Sequence, residues 1–152
     1  MSGSWQAEEL PNLNSENHRI TSPQTPCYNC IAWAIGSDTQ WWWPMNPYYW
    51  PPDVPEEETL SAFLAAFATR GYEECKDGSL EAGYEKVALF ANRTASGDFS
   101  PTHAARQLPD GQWTSKLGPC EDIEHAKVED VNGPAYGAVV RFMRRAKAEG
   151  VL

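Results

Sequence analysis

Two strands joined by a tight turn are predicted within residues 102–118, THAARQLPDGQWTSKLG. The Pro-Asp-Gly at positions 109–111 is typical of a type I turn that is closed by a glycine in the left-handed region. We assign short strands to the residues on either side, 102–108 and 112–118. This segment therefore predicts an antiparallel hairpin, and the rest of the fold is built outward from it.

The length of the turn decides which side chains of the hairpin share a face. With a three-residue bulged loop, Leu108 faces Gln112, and the two-residue period of strands then places His103 and Ser115 on one face as diagonal neighbours. A two-residue Asp-Gly turn would slip the register by one residue and bring Lys116 to the face of His103 instead. Proline suits the second position of a type I turn, which favours the longer loop.

Outside the hairpin, the pattern predicts two more strands and three helices. The strands cover 72–75 and 86–92, and the helices cover 28–36, 55–71 and 136–150. This order predicts an α+β fold in which an N-terminal, cysteine-bearing helix packs on an antiparallel β-meander and a helix ends the chain. We assign residues 1–25 to an extended N-terminal arm and residues 26–152 to one domain, the size of which suits a single core.

The helix boundaries follow from capping residues. Asn29 suits the N-cap of the first helix, so that Cys30 becomes its first residue, and Gly36 suits its end. Pro55 suits the first turn of the second helix, with Glu56–Glu58 near its positive end. In the last predicted helix the apolar side chains point inward and the basic ones lie on the solvated side: Val139, Val140 and Met143 against Arg141, Arg144, Arg145 and Lys147.

Residues 37–55, SDTQWWWPMNPYYWPPDVP, combine aromatic side chains with a density of proline that prevents regular helix or central strand. We expect a rigid, irregular loop, and three consecutive tryptophans on such a backbone cannot all point inward. Some of the rings should therefore line a groove that binds a ligand, while others cover the core. The candidate substrate-binding residues are Tyr28, Trp41, Trp42, Trp43, Tyr49, Trp50 and Trp113.

Composition narrows the function classes. Twelve Lys and Arg against twenty-one Asp and Glu give a net charge of −9, which opposes binding to nucleic acid. No apolar run is long enough for a membrane-spanning helix, and the first residues lack the pattern of a secretory signal. We therefore expect a cytoplasmic protein, or one exported without a classical signal peptide. No glycine-rich phosphate loop is present, and we expect no cofactor.

The cysteine pair in CYNC, Cys27 and Cys30, permits several interpretations. A zinc site would need two more ligands from Cys75, Cys120 or a histidine, and no second such pair supplies them. A redox dithiol would need a preceding strand, which is missing. The remaining interpretations are buried, inert thiols and a nucleophile at a helix start.

The nucleophile interpretation favours Cys30, because the dipole of the helix that it begins would lower the pKa of its thiol. A base must come from elsewhere in the chain. We expect His18 to be exposed in the arm and His125 to pair with Glu121 or Asp122. His103 opens a strand, where a side chain reaches the rim of a sheet, and Ser115 could orient its ring.

Cysteine at a helix start in YNCIAWA, followed by a meander that opens with histidine in THAARQLPDGQWTSK, resembles the papain-like thiol hydrolases. The resemblance is greatest to their compact NlpC branch of cell-wall peptidases and amidases. It implies that Cys30 is the nucleophile, His103 the base and Ser115 the third catalytic residue. Asn29 stands where that branch has aspartate, and Ser115 where it has His, Asn or Asp. The same string also resembles a bacterial family of small uncharacterised proteins.

These observations lead to two hypotheses of function. The first is a cysteine hydrolase of peptidase or amidase type that cleaves an amide bond in a peptide or a peptidoglycan-type glycopeptide. The alternative is a non-catalytic module that binds a protein or a glycan through the tryptophan-rich loop, as an effector or an inhibitor does. We assign no metal site, and the sequence leaves the oligomeric state open.

Overall fold

The structure is a computed structural model that describes residues 5–147. Its centre is a seven-stranded antiparallel sheet, so the molecule has the expected mixed α+β fold. The strands are β1 His18–Ser22, β2 Glu73–Cys75, β3 Tyr84–Arg93, β4 Phe99–Gln107, β5 Trp113–Lys116, β6 Asp122–His125 and β7 Ala138–Ala146. Their order across the sheet is β1-β6-β5-β4-β3-β7-β2, and all four predicted strands are confirmed.

The central hairpin has the predicted register. The amide of Leu108 donates to the carbonyl of Gln112 at 2.7 Å, and Gly111 has φ of +92°. Gln107 then pairs with Trp113, as a three-residue bulged loop requires. The turn chemistry was sufficient to set the register because only a residue free to adopt a positive φ closes this loop without strain.

The sheet separates two apolar layers, because side chains alternate between its faces along every strand. On one face Val87 and Leu89 pack against the helices, and on the other Ala88 and Phe90 pack against the N-terminal segment. A buried Leu10 closes this second layer. The sheet is therefore covered on both sides, which explains why the middle of β3, residues 87–91, is a continuous apolar run.

Helix α1 covers Cys30–Ile35 and is confirmed in position and in both ends. The side chain of Asn29 accepts the amide of Ala32 at 3.2 Å, and Gly36 ends the helix with φ of +104°. Trp33 donates its indole N–H to Thr114 at 2.9 Å and fastens the helix to β5. The predicted packing of this helix on the meander is thus confirmed.

Helix α2 covers Leu60–Ala68 and begins later than predicted. Its N-cap is Thr59, whose hydroxyl accepts the amide of Ala62 at 3.2 Å, so the prediction of Pro55 in the first turn is wrong. The carbonyl of Pro55 instead accepts the indole N–H of Trp50 at 2.9 Å, which keeps this residue in the preceding loop. A threonine cap thus starts the helix after the acidic run.

The predicted C-terminal helix over 136–150 is wrong: the chain forms strand β7, and positions 148–150 lie outside the described residues. β7 pairs with β3 on one side and with β2 on the other, so both edges of its backbone are hydrogen bonded. Adjacent valines favour a strand, and the free edge of β3 supplied the partner that no local pattern shows. The arginines of β7 form ion pairs with glutamates: Arg141 with Glu74, Arg144 with Glu81, and Arg145 with Glu85.

The N-terminal arm is more ordered than its composition suggested. Within it β1 pairs with β6, and neither strand was predicted. A short 3-10 helix, Val128–Val131, follows β6. Both strands are short and largely polar, and they lie at or next to an edge of the sheet, so their sequences show little alternation.

Replacement of Gly137 by alanine should destabilise the protein by about 3 kcal/mol, because the new Cβ would overlap the carbonyl oxygen of Ala91 at a positive φ. The matched control is Gly97→Ala, since Gly97 also has a positive φ of +91° but open space around it, and this variant should lose only about 1 kcal/mol. Urea unfolding at neutral pH measures both. Equal losses in the two variants would contradict the packing described here.

Candidate functional site

Cys30 lies where β4 and β5 separate. These strands pair only near their turn, at Arg106 with Thr114 and at Gln107 with Trp113. Farther from the turn, the first residue of α1 lies beside β4. The thiol of Cys30 donates to the carbonyl of Thr102 at 3.8 Å, and the side chain is 4% exposed.

The backbone atoms that contact the Cys30 thiol show where it lies relative to His103, the predicted base. The carbonyl of Thr102 is one neighbour of the sulfur, and the amide of Ala104 is another. Both belong to residues adjacent to His103. The sulfur of Cys30 thus lies beside the backbone on either side of His103. The ring of His103 points the other way, because His103 pairs with Phe90 and their rings lie 5.1 Å apart on the face of the sheet opposite α1. The predicted contact between this ring and the sulfur is therefore not among the contacts that the described residues make.

The expected low pKa of Cys30 is wrong. Burial raises the pKa of the thiol to about 11, although backbone amides of Ala104, Ile31 and Cys30 itself favour the thiolate. The removal of water outweighs the short helix at this position. In the resting protein Cys30 is therefore a neutral thiol.

His103 is fully buried and makes the contact that the hairpin register predicted. Its Nε2 lies 3.0 Å from the hydroxyl oxygen of Ser115. That hydroxyl also lies 2.8 Å from Nε2 of His125, and Nδ1 of His125 lies 2.8 Å from the carbonyl of Lys127. His125 therefore uses both ring nitrogens in this chain instead of pairing with Glu121 or Asp122.

The donor and acceptor of every hydrogen bond between His103 and Lys127 can be assigned by starting from the carbonyl of Lys127. The carbonyl of Lys127 can only accept, so Nδ1 of His125 must carry a proton and donate. In the neutral ring Nε2 of His125 then accepts from the hydroxyl of Ser115. The hydroxyl oxygen in turn accepts from Nε2–H of His103. This leaves Nδ1 of His103 as an unprotonated nitrogen.

Nδ1 of His103 is buried and has no hydrogen-bond partner among the described residues. A buried polar atom without a partner is rare in folded proteins and points to a functional use. Burial and the neighbouring His125 lower the pKa of His103 well below its ordinary value, so the ring is neutral. The result is a base whose lone pair is free.

Tyr136 covers this imidazole and was missed by the sequence analysis. Its ring stacks on His103 with centroids 4.0 Å apart and planes 13° apart. The loop that carries it is closed by two hydrogen bonds between Gly133 and Gly137, and Thr102 donates its hydroxyl to the carbonyl of Tyr136 at 2.6 Å. The two glycines of GPAYG were the signal for this tight loop.

A groove of about 350 Å³ opens at Cys30. Trp41 and Trp43 line it, while Trp42 between them is 1% exposed, so the expectation that the three tryptophans diverge is confirmed. Tyr136 also lines this groove. Two further side chains there, Met45 and Tyr48, were not predicted.

The other predicted binding residues lie in packing positions. Tyr28 donates its hydroxyl to Asp122 at 2.6 Å and is buried, as are Trp42 and Trp113. These three were wrongly placed in the groove, because large rings fill the core where the backbone points them inward. The remaining two pack against core rings: Tyr49 on Trp42, and Trp50 on Phe63. Tyr49 also lines an adjacent groove of about 440 Å³, together with Trp41 and Tyr48.

The other cysteines do not join Cys30 in a metal centre. Cys27 is exposed, and all four cysteines are free thiols. Within residues 5–147 no three His, Cys, Asp or Glu side chains form a group that could hold a metal ion. A second groove of about 420 Å³, between Leu80 and Pro109, contains no cysteine or histidine.

Comparison with known proteins places the chain in one family. Residues 19–144 match the family described as "Domain of unknown function (DUF7689)". No curated protein and no solved structure matches the chain. Between residues 5 and 147, none of the helices has the length and apolar character needed to cross a membrane.

The stability of the protein should fall as the pH drops from 7 toward 5. Burial lowers the pKa of His103 and of His125 below the ordinary value of 6.5. Below that value the unfolded rings bind protons that the folded rings do not, so each histidine contributes up to about 1.4 kcal/mol of lost stability per pH unit. Urea unfolding at several pH values measures the slope.

Nitrogen-15 NMR of the folded protein at pH 6 gives an independent check. We expect two neutral rings in different tautomers, with the proton on Nε2 of His103 and on Nδ1 of His125. A charged His103 at this pH, or a proton on its Nδ1, would contradict the hydrogen-bond directions derived above.

Alkylation of Cys30 by iodoacetamide should rise with pH until about pH 11, because burial raises the pKa of its thiol to about 11. The exposed Cys27 provides the internal comparison and should react faster at pH 7.5. Mass spectrometry of peptides from the partly modified protein resolves the two sites. A rate at Cys30 that levels off below pH 8 would show a stabilised thiolate instead.

Proposed function

The chain belongs to the DUF7689 family, and from the geometry of its site we propose that it is a cysteine hydrolase that cleaves an amide bond. The observation that carries this proposal is the unpartnered Nδ1 of His103, in a strand where the adjacent carbonyl of Thr102 accepts the thiol of Cys30. The arrangement of the site supports a papain-like core of the NlpC type. A cysteine begins the helix, a histidine lies on the first hairpin strand, and a polar residue on the second strand holds the histidine.

The first chemical step is attack by a neutral thiol. For this step the side chain of Cys30 must leave the carbonyl of Thr102 and reach the face of β4 that carries the His103 ring. Nδ1 then accepts the thiol proton as the sulfur bonds to the substrate carbonyl carbon. The C=O π electrons move to the oxygen. We assign the backbone N–H of Cys30 as one donor to this oxyanion.

The second step releases the amine. The protonated Nδ1 of His103 gives its proton to the amide nitrogen as the C–N bond breaks, which leaves a thioester on Cys30. Water then attacks the thioester with Nδ1 again as the base. The thiolate leaves and takes the proton, so that the free acid and the neutral thiol are restored.

Ser115 and His125 are positioning residues in this scheme. The imidazolium that forms during the reaction keeps its Nε2–H bonded to the hydroxyl of Ser115, which holds the ring in one orientation. The carbonyl of Lys127 sets the direction of the whole chain. A serine thus serves where papain-like enzymes have an amide or a second imidazole, because His125 fixes the hydroxyl proton.

A non-catalytic binding domain is the second candidate function. The small exposed fraction of the Cys30 side chain, 4%, favours it, as does the stacking of Tyr136 on His103. In that case the groove would hold a ligand and the thiol would only fill space at its floor.

Hydrolysis of p-nitrophenyl acetate, an activated stand-in for an amide, tests the proposal. We expect Cys30→Ala to abolish protein-dependent turnover and His103→Gln to slow it about 100-fold or more, since a positioned base contributes a factor of this order. Ser115→Ala should slow turnover less, because the base remains. Release of nitrophenolate gives the rate, and mass spectrometry of the quenched protein locates the acetyl group.

Cys27→Ala is the matched control, because this thiol is exposed and lies three residues earlier; it should react as the unmodified protein does. Turnover that survives in Cys30→Ala, or acetyl transfer to Cys27 alone, would exclude Cys30 as the nucleophile and leave the binding domain as the better description.

A further inference from the structure

We infer that the groove at Cys30 accepts an amide whose acyl part carries an uncharged aromatic side chain. This inference rests on the proposed function for the cleavage itself, but the preference for the ligand follows from the groove alone. It is carried by three features of the groove: its ring-lined walls, its fixed shape and its lack of charge.

Rings from two separate segments line the groove. Trp41 and Tyr48 come from the loop over 37–55 and lie with ring centroids 5.6 Å apart. Tyr136 comes from the glycine-closed loop and lines the same groove. Aromatic pairs at such separations gain energy beyond the area that they bury, so a further ring is well accommodated here.

The walls are fixed in place before a ligand arrives. The side chain of Asn29 both accepts the amide of Trp42 at 3.1 Å and donates to its carbonyl at 2.7 Å. The loop is closed on itself by the amide of Trp43 on Tyr49 and the amide of Tyr49 on Trp41, both at 3.0 Å. Asn29 also caps α1, so one side chain joins the aromatic wall to the helix of the nucleophile.

The polar side chains on the floor of the groove already have partners. Asn29 accepts two amides and donates to a carbonyl, and Thr102 donates its hydroxyl to the carbonyl of Tyr136. A sugar would bring many hydroxyls to this surface and would leave them poorly paired. The desolvation of unpaired polar groups therefore disfavours a glycan ring relative to an aromatic ring.

None of the side chains that line the groove is charged. The nearby Lys116 is buried, and its ammonium donates to the carbonyls of Thr25, Gly118 and Cys120. A carboxylate on the ligand would lose its water without gaining a cation. An acidic acyl side chain is therefore disfavoured, which excludes the most acidic peptides as good substrates.

The size of the groove agrees with one ring and a carbonyl group. About 350 Å³ lies at the lower end of the range for ligand sites. An extended chain of rings would exceed it, whereas a single phenyl or indole side chain next to the reacting carbonyl would be mostly buried.

Binding to the Cys30→Ala variant tests this preference without any chemistry. The probes are N-acetyl-phenylalanine amide, N-acetyl-glutamate amide and N-acetylglucosamine, and tryptophan fluorescence with NMR shift mapping gives each Kd. We expect the phenylalanine probe to bind at least 10-fold more tightly than the other two. Equal or tighter binding of the glutamate probe or the sugar would overturn the inference.

Two variants in the same Cys30→Ala background locate the probe. Tyr48→Ala should weaken binding of the phenylalanine probe at least 5-fold, and because Tyr48 is 43% exposed its truncation leaves the core intact. Leu80→Ala is the control and should leave Kd unchanged, because Leu80 is 56% exposed and lines the separate groove next to Pro109. An unchanged Kd in Tyr48→Ala would overturn the inference.

The two proposals fail separately. Selective binding of the aromatic probe with no acetyl transfer to Cys30 would refute the hydrolase and keep the groove's preference. Acetyl transfer to Cys30 with no preference among the probes would refute the preference and keep the hydrolase.

Discussion

The site depends on one physical constraint: the N–H of a buried imidazole must find a hydrogen-bond acceptor. In this molecule the requirement passes from His103 through Ser115 to His125 and ends at the carbonyl of Lys127. Since a carbonyl cannot donate, the chain has only one direction for neutral rings. The strands β4, β5 and β6 each contribute one member, so the sheet order is what brings the chain together. The resting state of the site, in which Nδ1 of His103 is unprotonated, follows from this order.

Much of this centre could be predicted from local chemistry. The Pro-Asp-Gly turn fixed the register of β4 and β5, and the register brought His103 to Ser115. The cap at Asn29 likewise placed Cys30 at the start of α1. In each case a short-range rule on backbone conformation determined the outcome, because only a few residue types satisfy it.

The errors arose where long-range pairing decided the structure. The sequence of β7 predicts a helix, and only its pairing with the edge of β3 makes it a strand. β6 is too short and too polar to predict without its neighbouring strands. The pKa of Cys30 was misjudged for a related reason: the helix start was visible in the sequence, but the depth at which β4 and β5 enclose the thiol was not. Tyr136 lies on a loop remote in sequence from His103, and only the two glycines beside it indicate a constrained position. Burial and strand pairing are properties of the assembled sheet, so local patterns contain little of either.

The two outer strands of the sheet have a consequence for behaviour at high concentration. β2 is only three residues long and carries two glutamates, and β1 has an irregular register and begins with His18 and Arg19. Short, charged or irregular edges offer few backbone groups in line for a further strand from another molecule. A sheet that contains the apolar run over residues 87–91 in β3 is thus protected from fibril-like stacking at both of its edges. The edge strands thus limit aggregation, whereas the thiol of Cys30 lies in the middle of the sheet, where β4 and β5 separate.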